Sequence, residues 1–161
     1  MKITYLGHAT FLLESGSTTI LIDPFDAKVG YPMPTVSPTA VLVSHEHGDH
    51  NHLAMASGTP KVIRGLADGQ WRRVQENVGG VAIASVPTYH DATQAHGVVA
   101  RLRPGIVIPM HYKTEVNAGA PIGAVDPFLA AARGSRQAGH AATVERGAVP
   151  NATEVWVMSW R

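Results

Sequence analysis

The chain has 161 residues, of which 45% are hydrophobic and 16% charged, a composition typical of one folded domain rather than of a disordered protein. Its formal net charge of +1 gives no electrostatic basis for a nucleic-acid or anionic-membrane partner. The chain contains no cysteine, so disulfides and thiolate metal sites are excluded and any transition metal must be held by nitrogen and oxygen. The N-terminal segment is a poor signal peptide, and no run approaches the ~18 apolar residues of a spanning helix, so we expect a cytoplasmic protein.

Short β-branched segments divided by turn residues dominate the first half of the chain and predict a series of strands. These segments are KITYL, FLLE, TTILID, AVLVSH, KVIRG and VAIASV. AVLVSH is continuously apolar, as expected for a strand that is buried on both faces. Residues 23–40 contain four prolines and predict a loop, whereas NHLAMAS predicts a short helix.

The second half of the chain contains more helical patterns. TQAHGVVARLR spaces its apolar residues as on one helix face, and Pro104 closes it. VDPFLAAARG predicts a second helix, with Asp126 as the N-cap and Pro127 at the first helical position. IVIPM and TEVWVMSW predict further strands. Strands in groups with helices between them indicate an α/β fold, which we expect to be a single domain over residues 1–161.

The segment HEHGDH carries the strongest functional signal. His45 and His47 are two positions apart, so on a strand or its extension both side chains leave the same face. Gly48 allows the backbone to turn, which can send Asp49 and His50 into the same volume. A solvated polar loop would explain one or two histidines. Four histidines within eight positions, beginning where a buried strand ends, favour a metal site instead.

Further histidines also follow apolar strands. His90 and His111 are placed at the sheet edge where open α/β folds bind ligands, so we interpret both as metal ligands. His8 follows the first strand and could either line the site or form a hydrogen bond within a turn. Glu46 should point away from the neighbouring histidines. The remaining histidines are interpreted as ordinary surface or helix residues: His52, His96 and His140.

A site of imidazoles and carboxylate suits zinc, manganese, iron or nickel, and we expect one or two divalent ions per chain, zinc or manganese. Such an ion lowers the pKa of a bound water from about 15.7 to about 7 and polarises the bond under attack. Hydrolysis would then need no Ser-His-Asp or Cys-His pair. Asp49 is the candidate catalytic residue, because it could orient the hydroxide, ligate a second ion, or do both.

His45-x-His47-x-Asp49-His50 resembles the signature of the metallo-β-lactamase superfamily. ITYLGHATFLLES, TTILIDPF and IVIPMHYKTEV are similar to the branch that includes ascorbate-6-phosphate lactonase and a group of metal-dependent hydrolases. The resemblance implies an αββα sandwich with a dinuclear site at one edge of its two sheets. It also implies two metal sites, the first formed by His45, His47 and His90 and the second by Asp49, His50 and His111.

The chain departs from that family between His90 and His111, which are only 21 positions apart. In such proteins this interval holds further strands, a helix and a Gly-Asp segment whose aspartate bridges both metals. Here the chain joins directly near residues 93–94, and Asp91, next to His90, would point the opposite way on a strand. We therefore expect an αββα sandwich whose second half has lost strands and a helix, with a weakened second metal site and an intact three-histidine site.

Three hypotheses for function follow. The first is a metal-dependent hydrolase that acts on an ester, lactone or phosphoester of small size. The second is a catalytically impaired metal-binding or interaction module derived from such a hydrolase, and the third is an internally deleted form of a longer hydrolase. A shortened sheet exposes edges that self-association would cover, so we expect a homo-oligomer with a small-molecule substrate and no nucleic-acid or membrane partner.

Overall fold

The computed structural model describes residues 1–88, 92–132 and 134–161. Its helices are α1 (Ala92–Leu102) and α2 (Asp126–Ala131), and short 3-10 turns lie at Ala27–Val29, Leu53–Met55 and Arg146–Ala148. The strands are β1 (Lys2–Gly7), β2 (Thr10–Ser15), β3 (Thr18–Ile22), β4 (Ala40–Val43), β5 (Lys61–Arg64), β6 (Leu66–Ala67), β7 (Gln70–Trp71), β8 (Gln75–Val78), β9 (Val81–Ala84), β10 (Ile106–Val107), β11 (Ser135–Gly139), β12 (Ala141–Thr143) and β13 (Glu154–Met158). Neither helix has the length and hydropathy needed to cross a membrane.

The first sheet has six strands in the order β12-β1-β2-β3-β4-β5. β12, β1, β2 and β3 pair antiparallel, whereas β3, β4 and β5 pair parallel. β4 therefore has a neighbour on each side, which agrees with its almost fully buried, continuously apolar sequence. Because β1 runs in the same direction as the three parallel strands, all four end at one edge of the sheet. The segments that follow β1, β3 and β4 carry His8, Asp23 and HEHGDH to that edge.

The second sheet is smaller among the described residues, with the parallel order β10-β13-β11. Alternate residues of β13 point to opposite faces, as the pleat of a strand requires. Val155 and Val157 pack with Phe128 against the two helices. Met158 packs instead with Tyr5 and its neighbours in the first sheet. The helices thus cover the outer face of the second sheet, and the predicted α/β class is confirmed.

The outer face of the first sheet is covered differently from what an αββα sandwich predicts. Val41 and Val43 pack there against Phe25, Tyr31 and Met55. These aromatic and methionine side chains come from the proline-rich loop and from a 3-10 turn, so no long helix of the described residues forms this layer. Four prolines prevent residues 23–40 from donating a regular helical hydrogen-bond ladder, while the large side chains still fill the layer.

Several local predictions need correction. NHLAMAS forms only a 3-10 turn at Leu53–Met55. The N-cap of α2 is Val125 rather than Asp126, whose charge instead lies in the first helical turn, where it favours the helix dipole. The described residues also form the hairpins β6–β7 and β8–β9. Of these four strands, the sequence predicted only β9. The hairpin turns contain Asp68-Gly69 and Gly79-Gly80, dipeptides that favour tight hairpins.

Candidate metal centre

Four side chains converge at the edge where β1 and β4 end. His8, Asp49, His50 and His111 each offer one ligand atom, and these atoms all lie within 4.8 Å of one another. Asp49 is central, since its Oδ2 lies 2.9 Å from His8 Nε2 and 3.6 Å from the Nε2 atoms of His50 and His111. Three imidazoles therefore surround one carboxylate oxygen.

The backbone conformation at two of these residues is unusual. His8 has a φ of 55° and His111 a φ of 58°, in the left-handed region that residues other than glycine rarely adopt. The two segments are joined directly, because the His111 N–H donates to the His8 carbonyl at 2.9 Å. The Tyr5 hydroxyl donates to the same carbonyl at 2.8 Å. Such strained positions persist only where the surrounding contacts hold them, and here they place two candidate ligands.

A fully buried carboxylate, Asp23, supports the cluster from behind. Its Oδ1 accepts a hydrogen bond from the Ser44 N–H, and its Oδ2 accepts one from the Ser44 hydroxyl, both at 2.6 Å. His50 Nδ1 donates to Asp23 Oδ2 at 3.1 Å. The proton of His50 is thereby held on Nδ1, and Nε2 keeps its lone pair on the side of Asp49. Metal-binding histidines are commonly oriented by a carboxylate in this way.

Ser44 extends the same support to a second histidine. Because its hydroxyl donates to Asp23, its oxygen accepts from His45 Nδ1, which lies 2.9 Å away. His45 Nε2 then faces His47 Nδ1 at 3.1 Å. One carboxylate thus orients His50 directly and His45 through a serine.

The electrostatic state of the cluster suits cation binding. Burial alone would raise the pKa of Asp49, but the hydrogen bond from His8 and the neighbouring His50 lower that pKa to about 2, so Asp49 is a carboxylate at neutral pH. Burial lowers the pKa of His8, and the hydrogen bond to Asp49 only partly opposes this. Neutral imidazole is the form that can ligate a metal. His8 Nδ1 is buried and has no hydrogen-bond partner within the described ranges.

The donor set fits a first-row divalent cation. It combines imidazole nitrogens with one ionised oxygen, and such sites bind zinc, manganese or iron. The geometry brings together the three residues predicted for the second site and adds His8, for which the sequence left two interpretations open. Whether these residues bind metal stays a prediction.

The predicted first site is described only in part, since His90 and the adjacent Asp91 lie outside the described residues. The His45 and His47 rings contact each other, with centroids 4.5 Å apart. The His45 ring also lies 4.1 Å from the His50 ring, so the two predicted sites adjoin.

The residues interpreted as non-ligands lie apart from the cluster in the described structure. Glu46 points away as predicted, toward Arg64 at 2.5 Å. His96 contacts the Phe128 carbonyl at 2.7 Å, and His140 is exposed on the surface.

Comparison with known proteins fits this geometry. Residues 2–97 match the family model described as the beta-lactamase superfamily domain. The chain belongs to the metallo-β-lactamase superfamily. The matched residues include HEHGDH and every segment that supports it from β1, β3 and β4.

Individual relatives show how far the similarity extends. A metal-dependent hydrolase from Archaeoglobus fulgidus is 36% identical over 134 residues, which cover 68% of this chain and 57% of the relative. A metal-dependent hydrolase from Deinococcus radiodurans is 33% identical over 131 residues, with 67% and 57% covered. The chain thus spans little more than half the length of these curated relatives.

A solved structure confirms the metallo-β-lactamase fold. It is the crystal structure of a Thermotoga maritima protein described as a candidate zinc-dependent hydrolase of the metallo-β-lactamase superfamily. The two chains align with a TM-score of 0.72 and 26% identity, and the alignment covers 98% of each.

Sequence reasoning missed Asp23 and Ser44, although signals for both were present. Asp23 ends the apolar strand TTILI and Ser44 ends AVLV, so each is a polar residue at the edge where superfamily ligands meet.

We expect Asp23→Asn to lower the zinc affinity of this superfamily member by roughly 10- to 100-fold, the usual effect of losing a ligand's supporting partner. The amide can place its NH2 group against His50 Nδ1, which favours the tautomer with the proton on Nε2. That tautomer has no lone pair on Nε2 to offer to a metal. Zinc competition with a chromophoric chelator would measure the affinity. Asp26→Asn is the control, because the Asp26 carboxylate accepts a hydrogen bond from the Lys28 N–H rather than from a candidate ligand. Equal affinities in both variants would contradict the orienting role.

Proposed function

We propose that the chain is a metal-dependent hydrolase that uses a divalent cation, zinc or manganese, to cleave an ester, lactone or phosphoester of a small molecule. The observation that carries the proposal is the convergence of four ligand atoms within 4.8 Å, centred on Asp49. The curated relatives named metal-dependent hydrolases and the Thermotoga maritima protein support the same class of activity.

The cation would be held by His8, Asp49, His50 and His111. When bound, it would supply Lewis-acid chemistry, polarising the bond under attack and making hydroxide available near neutral pH. His50 presents Nε2 because Asp23 holds its other nitrogen. A second cation would be held by His45 and His47, with His90 as predicted from the sequence.

Asp49 is the proposed catalytic residue. Its side chain is 35% exposed, whereas the side chains of His8 and His50 are almost fully buried. The side chain of His111 is 20% exposed, so the Asp49 carboxylate is the most accessible of the four groups to a substrate from solvent. With a pKa of about 2, it is ionised at neutral pH and can accept a hydrogen bond that orients an attacking water or hydroxide.

Removing the metal should abolish hydrolysis. We expect the chain purified without chelator to contain one or two equivalents of divalent metal by elemental analysis and to hydrolyse chromogenic phosphodiesters or lactones. Dialysis against a chelator should remove both the metal and the activity, and added zinc or manganese should restore them. Activity that survives complete metal removal would contradict the proposal.

His47→Ala separates the two candidate sites. Because His47 contacts His45 and lies outside the Asp49 cluster, the variant should lose at most one metal equivalent. Retention of metal without hydrolysis of any substrate class in the unmodified chain would instead support the impaired metal-binding module.

A further inference from the structure

Tyr31 lies in the proline-rich loop and is 4% exposed. Its ring contacts those of Phe25 and Trp160, with centroids 5.8 and 5.5 Å apart. Phe25 follows Asp23 by two positions, so the ring packs next to the segment that carries the supporting carboxylate. Tyr31 also contacts the segments that carry His8 and His111, through Gly7 and Thr114.

The ring of Tyr31 lies directly on the backbone of Gly7. A Cβ atom placed on Gly7 would lie 2.4 to 2.8 Å from three ring carbons of Tyr31. Gly7 precedes His8, and both have positive φ angles, of 107° and 55°. The ring therefore restricts the backbone at the point where it turns to present His8.

The hydroxyl of Tyr31 contacts the loop that follows His111. It lies 2.5 Å from Thr114 Oγ1. The Thr114 N–H and hydroxyl both donate to Asn117 Oδ1, at 2.6 and 3.2 Å. Since the threonine hydroxyl donates to asparagine, it accepts from Tyr31, and the direction of each bond is fixed. This short network closes the turn that begins at His111.

We propose that Tyr31 is a positioning residue for the candidate metal centre. Its ring holds the backbone at His8, and its hydroxyl, through Thr114, holds the loop that presents His111. The consequence for metal affinity rests on the proposed function. The position of His111 does not, because it can be measured in the metal-free protein.

A purely structural aromatic residue would need only the ring. Phenylalanine would then fill the same volume, and loss of the hydroxyl would leave His111 where it is. A positioning role requires the hydroxyl, which bonds to a side chain three residues after the ligand rather than to the nearby core.

The first experiment measures amide hydrogen exchange by NMR in the metal-free protein. The His111 N–H donates to the His8 carbonyl, so its exchange rate reports how well the two segments are held together. Tyr31→Phe and Thr114→Val should each accelerate this exchange at least about tenfold. In Thr114→Ser, which keeps the hydroxyl, the His111 N–H should exchange as slowly as in the unmodified chain. The exchange rate of the Gly65 N–H, which donates to the Val43 carbonyl, should be the same in all variants.

The second experiment is a double-mutant cycle on zinc affinity, using Tyr31→Phe, Thr114→Val and both together. Each single variant should weaken zinc binding by roughly 3- to 10-fold. The double variant should bind zinc no more weakly than the single variant with the lower affinity. Unchanged His111 exchange in Tyr31→Phe would overturn the proposal, as would fully additive effects on affinity. Failure of the unmodified chain to bind zinc would overturn the proposed function instead, and the exchange data would still decide the role of Tyr31.

Discussion

Replacing His50 by alanine should remove metal binding at the Asp49 cluster and, with it, hydrolysis. His50 is 2% exposed, with Nδ1 bonded to Asp23 and Nε2 3.6 Å from Asp49. Losing a ligand should weaken binding by more than the roughly 10- to 100-fold that follows loss of a supporting partner. Asp23 would also lose a donor in a fully buried position, which costs about 1–3 kcal/mol of folding free energy. Calorimetric zinc titration and thermal unfolding measure the two effects.

Two variants control for this prediction. His52→Ala removes the same side chain two positions further on, where the imidazole makes no hydrogen bond within the described residues. It should bind metal normally. His50→Asn keeps an N–H group near the position of Nδ1 but has no counterpart of Nε2, so it should recover stability without recovering metal. Normal zinc binding by His50→Ala would exclude the Asp49 cluster as the metal site.

Gly7→Ala should destabilise the fold strongly. Gly7 has a φ of 107°, which L-residues rarely adopt, and the added Cβ would approach the Tyr31 ring to 2.4 Å. Backbone strain of this kind costs about 1–3 kcal/mol, and forcing an atom into a packed core costs about 1–3 kcal/mol more. We expect a loss of roughly 3 kcal/mol or more in the free energy of unfolding, measured by urea denaturation.

Gly16→Ala is the matched control for the steric part of this effect. Gly16 has a φ of 59°, and nothing lies within 4 Å of its added Cβ. Its substitution should therefore cost only the left-handed backbone strain, about 1–2 kcal/mol. If the two variants lost the same free energy, the added Cβ at Gly7 would meet no steric resistance from the Tyr31 ring.

The parts of the fold that could be predicted from sequence follow local rules. Short β-branched and apolar runs located β1, β3 and β4, and the rule that ligands gather at the carboxyl ends of strands singled out His111. Helical spacing similarly located α1. Each of these inferences needs only the residues of one segment and the direction in which its strand runs. The grouping of His111 with Asp49 and His50 came from the family resemblance, and the structure brings these three side chains together.

The parts that could not be predicted depend on contacts between distant segments. Asp23 supports His50 only because β3 and β4 are neighbours, and the sequence does not state which polar residues meet across strands. His8 joins the cluster because Gly7 and His8 both have positive φ angles, and no local pattern in the sequence shows that His8 adopts this uncommon conformation. The outer layer of the first sheet uses a proline-rich loop instead of helices, a choice set by packing rather than by periodicity.

The candidate ligands are divided between the two sheets. His8 and His50 follow strands of the first sheet, whereas His111 follows β10 of the second. A cation shared by these side chains would act as a removable cross-link between the two halves of the sandwich. In a chain without cysteine, it would stabilise the sandwich by binding the folded chain and not the unfolded one, and it would be reversed by chelation, as a disulfide is by reduction. The stability of the sandwich would then depend on the concentration of free metal ion around it.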